Sequence, residues 1–389
     1  MIYLDHAATA HPRHPGVEEA MLGALHLAGS VGRGAHGGAR AASQIVASCR
    51  QRLADLLGVA DPQRMVLFPS STLGLSTIIA DLCRDPQPDA ILWIGALEHN
   101  AVWRPAVRAL GEERVRCLPV DAAGLVDLEA LARMDPGPAL GVVLQHASNV
   151  TGIIQPIEEV GAWCQQHSLP LVVDGAQSAG IVPLHLGRID GLAAFTMAGH
   201  KHLGGAPGIG PCYLAPGYEP QPLWIGGNGV DSAHPTIPAS GPGRYESGTP
   251  NLPGIAGLDA ALNSFEEHPV AVRFEQLSQL REVWRQAIAD LDGVELRGES
   301  RGEGRTDART PVLALDFPGL PPEQAAAILE VSSGARCRAG LQCAPLAHRH
   351  IGTLDVGGTM RIAPGLESDE QQRDQVVEAL RQIASGSGG

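Results

Sequence analysis

Apolar residues recur along this chain in short blocks separated by segments of helical period. Blocks of four or five residues stand at Met65–Phe68, Ile91–Ile94, Leu140–Leu144, Leu169–Val173 and Leu192–Thr196. They predict short strands. Helical spacing is expected between them, near Thr72–Leu82, Val102–Leu110, Leu128–Ala132 and Ile157–Gln166. Two amphipathic helices, over roughly Gly16 to Leu27 and Ala41 to Leu57, precede the alternation. This order predicts right-handed βαβ units and a mostly parallel, covered sheet. Ligands of such sheets bind beyond the carboxyl ends of the strands, so residues just after each block are candidate site residues.

The alternation stops at a Gly/Pro-rich stretch from Gly226 to Pro253, read as a long ordered loop or an interface segment. A long helix is expected over Val270 to Leu291. A β/α lobe should follow, with strands near Val312–Leu315 and Ala335–Arg338 and helices near Pro322–Val331 and Asp369–Ile383. The expected division is a large domain over 14–258, a smaller one built from 1–13 and 259–384, and a disordered tail over 385–389.

Composition narrows the function. The net charge is −14 with no basic cluster, which argues against nucleic-acid binding. No apolar run is long enough to span a membrane. The N-terminus lacks the basic-then-apolar pattern of a secretion signal. Seven cysteines without a CxxC pair fit a reducing cytoplasm better than a disulfide framework or a structural zinc site, and no metal is expected.

Among 28 basic residues there is one lysine, Lys201. Arginine serves for solubility and surface charge, but it cannot lose its proton and attack a carbonyl. A lone lysine in Ala198-Gly199-His200-Lys201-His202-Leu203-Gly204-Gly205 suggests a nucleophilic amine, such as the Schiff-base lysine of a pyridoxal phosphate enzyme. Asp174 closes a strand in Val172-Val173-Asp174-Gly175-Ala176-Gln177, where a carboxylate could keep a pyridine nitrogen protonated. Gln177 could donate to the phenolic oxygen of such a ring, and so could Asn149. His99, after the Ile91–Ile94 strand, could lie on the ring and relay protons. Phe68-Pro69-Ser70-Ser71-Thr72 opens a helix where hydroxyls and free N–H groups can hold a phosphate. Arg338 precedes Cys343 by five residues in a loop rich in small residues. The arginine could bind a carboxylate bidentately, as could Arg361, and the cysteine could act as a nucleophile. Each feature alone has a plainer reading, as a turn, a helix cap or a buried thiol.

Together these residues resemble the cysteine desulfurase family of class V, fold-type I pyridoxal phosphate enzymes. The likeness runs through Tyr3-Leu4-Asp5-His6-Ala7-Ala8-Thr9, Gly32-Arg33-Gly34-Ala35-His36, Glu98-His99-Asn100, Ser148-Asn149-Val150-Thr151-Gly152, Asp174-Gly175-Ala176-Gln177, Gly199-His200-Lys201, Glu246-Ser247-Gly248-Thr249-Pro250-Asn251, and Arg338-Ala339-Gly340 with Cys343-Ala344-Pro345. It implies the fold-type I architecture, with a seven-stranded, mostly parallel sheet in the large domain and a smaller C-terminal α/β domain. It also implies a homodimer with its sites at the interface. Lys201 would join the cofactor and His99 would stack on it. Asp174, Gln177 and Asn149 would contact the ring. Ser71, Thr72 and His200 would bind phosphate, with Thr249 of the partner subunit. Arg361, Arg338, Asn149 and Ala7 would border the substrate, L-cysteine. Cys343 would take its sulfur and hand it to an acceptor protein, with iron–sulfur assembly among the possible destinations.

The chain departs from the family pattern at Ala198, where Thr or Ser is usual. It departs again at Leu73 and Gly74, where Thr and Glu are usual, and in Gly205-Ala206-Pro207 and Leu366-Glu367-Ser368. These departures keep two other readings open. One is a different reaction on the same scaffold, such as selenocysteine or cystine lysis, transamination or epimerisation. The other is a non-catalytic sulfur-transfer partner.

Overall fold

The computed structural model describes residues 1–32, 34–227, 229, 233–299 and 308–386. The centre is a seven-stranded sheet. In chain order its strands are β2 (Met65–Phe68), β3 (Ile91–Ile94), β4 (Val115–Cys117), β5 (Ala139–Gln145), β6 (Leu171–Asp174), β7 (Leu192–Thr196) and β8 (Gly210–Leu214). Their spatial order is β2-β8-β7-β6-β5-β3-β4. β8 runs antiparallel to both neighbours, and the other pairs are parallel. This is the mostly parallel α/β sheet expected, because the strands are apolar on both faces and buried throughout β2, β3, β6 and β7.

Helices cover both faces. On one side α1 (Gly16–His26), α2 (Gly37–Leu57), α6 (Ile157–Gln166) and α7 (Leu252–Leu262) share a core with Leu53, Leu144, Trp163, Val173, Phe195 and Leu258. On the other side α3 (Ser71–Leu82) and α4 (Asn100–Leu110) pack over Val66, Leu92, Val143, Val172 and Cys212. The ends of these helices follow local chemistry. Ser70 caps α3 by accepting from the Leu73 N–H at 3.2 Å, and Gly58 ends α2 in the left-handed conformation.

The C-terminal lobe has its own core around Trp284, Leu315, Leu329, Ile362 and Leu380. α9 (Val270–Ala289), α10 (Pro322–Ser333) and α12 (Glu370–Gly386) surround an antiparallel sheet of order β12-β10-β9, from Met360–Ile362, Leu313–Asp316 and Glu295–Arg297. The N-terminal β1 (Ile2–Tyr3) pairs in parallel with β11 (Ala335–Arg336), so the first residues join this lobe.

Several expectations need correction. The strand expected at Leu169–Val173 begins at Leu171 and includes Asp174. The strand over Ala335–Arg338 stops at Arg336, although Arg338 forms a bridge with Arg361. Ser385 and Gly386 continue α12 rather than starting a disordered tail, and 387–389 lie outside the described residues, as do Arg33 and part of the Gly226–Pro253 stretch. That stretch is ordered around Glu246, which pairs with Arg50 at 2.6 Å and accepts from the Leu67 N–H at 2.7 Å.

Candidate active site

The carboxyl ends of β5, β6 and β7, the start of α3 and the turn after β7 enclose a cavity of about 310 Å³. Lys201, His99, Asp174, Gln177, Asn149, Ser71, Thr72, His200, Arg361, Arg338 and Ala7 all line it. Thr249 does not. It lies in an exposed loop beside Pro250 and Asn251, lining a separate crevice. Cys343 is at the rim, in a groove that shares Thr72, His99 and Ala101 with the cavity.

Glycines fix the lysine's place. A Cβ on Gly199 would meet the Ile209 carbonyl oxygen at 2.8 Å, and one on Gly205 would meet Leu258 Cδ1 at 2.9 Å. The turn therefore packs tightly, closed by the Lys201 N–H donating to Ala198 O at 3.2 Å and the Gly204 N–H to Lys201 O at 2.8 Å. Loss of water around the ammonium, reinforced by Arg361 and Arg338, pushes Lys201 down to about 8, while Asp174 opposes the shift. The amine is thereby poised as a nucleophile near neutral pH.

Asp174, the last residue of β6, accepts from the Ala176 N–H at 2.9 Å. Burial raises its carboxyl, and the Ala176 hydrogen bond and Lys201 work against that rise. His99 caps α4 by accepting from the Ala101 N–H at Nδ1, 3.0 Å away. Burial, then the nearby cations Lys201, Arg338, Arg104 and Arg361, hold it down at about 4, so the ring is neutral at pH 7 and its proton sits on Nε2.

Arg361 is fully buried. It donates to Asp5 Oδ1 at 2.5 Å and to the Asn149 carbonyl at 2.9 Å, and its Nε has no partner. Arg338 reaches Cys343 Sγ at 3.4 Å. Gln342 and Cys343 both hold positive φ (40° and 59°), conformations that cost non-glycine residues energy and present the exposed thiol on a tight loop. The Cys343 carbonyl accepts from the Asn100 N–H at 2.7 Å, tying the loop to the helix that His99 caps.

The residues fit pyridoxal phosphate. Asn149 Oδ1 and Gln177 Oε1 are buried without partners on the cavity wall. Each NH2 spends one N–H on Gln342 O or Ala7 O, at 2.8 Å, which holds both side chains in place and leaves the second N–H as the donor a phenolic oxygen needs. Gly210 lets β8 approach the start of α3, since a Cβ there would lie 2.1 Å from the Ser70 carbonyl carbon. The exposed Thr72 and the first amides of α3 face this corner. Ser71 offers less than expected, because its hydroxyl donates to Thr196 Oγ1 at 3.0 Å. His200 Nδ1 is likewise engaged with Thr9 Oγ1 at 3.2 Å.

Sequence reasoning passed over three groups. Asp5 pairs with Arg361. Gln145 lines the cavity with an unpartnered Nε2. Glu98 is buried, its Oε1 accepting from the Gln145 N–H at 2.6 Å, and burial raises its carboxyl well above the usual range. Gln145 and Glu98 both follow strand signals, and that position was the available clue.

Comparison with known proteins shows the family of the chain. A family model described as aminotransferase class-V matches residues 2–376. A probable cysteine desulfurase of Methanothermobacter thermautotrophicus is 25% identical, over 98% of this chain and 94% of that protein. The cysteine desulfurase CsdA of Escherichia coli is 27% identical, over 97% of this chain and 93% of its own. Among solved structures, the apo cysteine desulfurase of Thermococcus onnurineus superposes with a TM-score of 0.86 at 26% identity, covering 99% of this chain and 95% of that one. Since the match extends from the first strand into the last helix, this chain belongs to the aminotransferase class-V family.

Proposed function

We propose that this chain is a pyridoxal phosphate-dependent cysteine desulfurase, converting L-cysteine to L-alanine and leaving the sulfur as a persulfide on Cys343. The observation that carries the reading is Cys343 itself. It is exposed on a positive-φ loop, 3.4 Å from the Arg338 guanidinium and beside the cavity that holds Lys201.

When bound, pyridoxal phosphate supplies an aldehyde for covalent attachment and a ring that accepts electrons. Lys201 would hold its aldehyde, Asp174 its ring nitrogen, Gln177 and Asn149 its phenolic oxygen, and Thr72 with the first α3 amides its phosphate. Asp174 supplies the negative charge that keeps a proton on the ring nitrogen. Neutral His99 can lie against the ring without adding a further cation to Arg361 and Arg338 beside Lys201. Arg361, assisted by Arg338, binds the substrate carboxylate through charge-assisted hydrogen bonds. Lys201 Nζ takes the substrate α-proton and returns a proton to carbon. The Cys343 thiolate attacks the substrate sulfur. An S–S bond forms as the C–S bond breaks, and the electron pair goes to the departing carbon, which ends as the methyl of alanine. L-Cysteine and the Cys343 thiol thus become L-alanine and a Cys343 persulfide.

The reading extends to a cytoplasmic homodimer that passes its sulfur to an acceptor protein. Seven free thiols support a reducing compartment. The exposed Leu223, Trp224 and Ile225 offer an apolar surface for a second copy, and exposed Thr249 suits a place against a partner's site. The test is incubation of the cofactor-loaded enzyme with L-cysteine, with alanine and sulfide measured and the Cys343 peptide weighed. The reading expects equal yields of alanine and transferable sulfur and a gain of one sulfur atom on Cys343. Alanine production that persists at the wild-type rate in Cys343→Ser would overturn it.

A further inference from the structure

A second cavity, of about 550 Å³, shares Lys201 with the first and no other residue. It lies where the N-terminal segment, the turn after β7, the start of α9 and the loop after β12 meet. Arg13 and Arg273 line it together with His6, His202 and His268, and Glu367 is the one carboxylate on its wall. A Cβ on Gly365 would strike the His6 ring at 2.5 Å, so this glycine lets the loop after β12 close over the imidazole.

The two guanidiniums differ from four other sheltered arginines, which have carboxylate partners: Arg50 with Glu246 at 2.6 Å, Arg64 with Glu219 at 2.7 Å, Arg297 with Asp316 at 2.6 Å and Arg361 with Asp5 at 2.5 Å. The buried Arg244 is held by the Pro220 and Pro238 carbonyls instead, but it lines neither cavity. Arg13 and Arg273 form no ion pair with a described carboxylate. Arg13 donates to the Gly205 carbonyl and, at 3.2 Å, to Thr9 Oγ1. Arg273 donates to His268 O at 2.8 Å and to Ser264 O and Oγ at 3.1 and 2.8 Å, with its guanidinium carbon 4.1 Å from the centre of the Phe265 ring. Neutral acceptors therefore fix both side chains and leave both charges uncompensated. Glu367 acts on Arg273 through space without pairing with it. His202 adds a buried Nε2 with no hydrogen-bond partner. A chain with 42 acidic and 28 basic residues has carboxylates to spare, yet two cations flank this cavity unpaired. Preorganised cations beside unspent donors make an anion site.

We propose that this second cavity binds a compact oxyanion of the sulfate or phosphate type between Arg13 and Arg273, separately from the cofactor's own phosphate. Calorimetric titration of the cofactor-loaded full chain with sodium sulfate, and separately with inorganic phosphate, tests it at ionic strength held constant with chloride. Saturable binding of one anion per chain is expected, with sulfate and phosphate competing. Arg273→Gln should weaken it about tenfold or more, as loss of a charge-assisted donor pair does. Arg273→Lys should keep part of the affinity. Glu367→Gln should tighten binding several-fold, and this variant still decides the matter if Arg273→Gln fails to fold. Thr72→Val, at the cofactor's phosphate corner, should leave the titration unchanged. No saturable binding, binding indifferent to the Glu367 change, or binding lost in Thr72→Val would each overturn the proposal. Acetate competing as well as sulfate would overturn the oxyanion class.

Discussion

Arg361 Nη2 lies 2.5 Å from Asp5 Oδ1, joining the first turn of the chain to a buried strand of the C-terminal lobe. The same arginine is the candidate anchor for a substrate carboxylate, so Asp5 balances its charge before substrate arrives. Asp5→Asn would leave a buried guanidinium without its counter-charge. Because the Asp5 side chain keeps some contact with water, the expected loss is on the order of 2–3 kcal/mol, below that of a wholly buried pair. Denaturant unfolding of wild type and variant measures it.

Lys201 gives a pH signature in the cofactor-free protein. Its folded value, about 8, is below the ordinary 10.5, so the fold binds this proton more weakly than the unfolded chain does. Between pH 8 and 10.5 the unfolded chain holds more protons, and stability from this group rises with pH. Below pH 8 the penalty is constant. Lys201→Met should therefore stabilise the cofactor-free protein at pH 7, by at most about 3 kcal/mol and less to the extent that water reaches the half-buried side chain. The gain should fade toward pH 10.5. Thermal unfolding of both proteins across that range checks the sign.

Cys343 should show stability and function moving in opposite directions. Its φ of 59° is costly for any residue with a Cβ. Cys343→Gly should stabilise the fold by about 0.5–1 kcal/mol through relief of that strain. The same change should abolish sulfur transfer from L-cysteine. A melting curve and an alanine assay on one preparation read both effects.

The phosphate corner can be strengthened. Ala198 lines the cavity without a hydroxyl to offer, and Ser71 has committed its own hydroxyl to Thr196. Ala198→Ser should add a donor and slow cofactor loss by roughly threefold to tenfold, the effect of one hydrogen bond to a charged group. Dialysis with absorbance of the released cofactor follows it.

The main strands could be read from the sequence because they are continuous apolar blocks, and the order of blocks and helices is enough to specify a parallel sheet. β8 was hidden because Gly210-Pro211 opens it, and β4 because three residues containing Arg116 give no apolar run. α7 was obscured by Pro253, Gly254 and Gly257, although Asn251 caps it by accepting from the Gly254 N–H at 3.1 Å. Within the site, the position of residues after strand ends pointed to Asp174, His99 and Asn149. The Asp5–Arg361 pair could not be read this way, since its partners lie 356 residues apart and only the folded lobe brings them together. The commitment of Ser71 to Thr196 is hidden for the same reason.

Borohydride reduction of the cofactor-supplemented protein, followed by peptide mass spectrometry, tests the central claim most directly. The account predicts a stable pyridoxyl adduct on Lys201, absent from Lys201→Ala. An unlabelled Lys201 in protein that has bound the cofactor would contradict it.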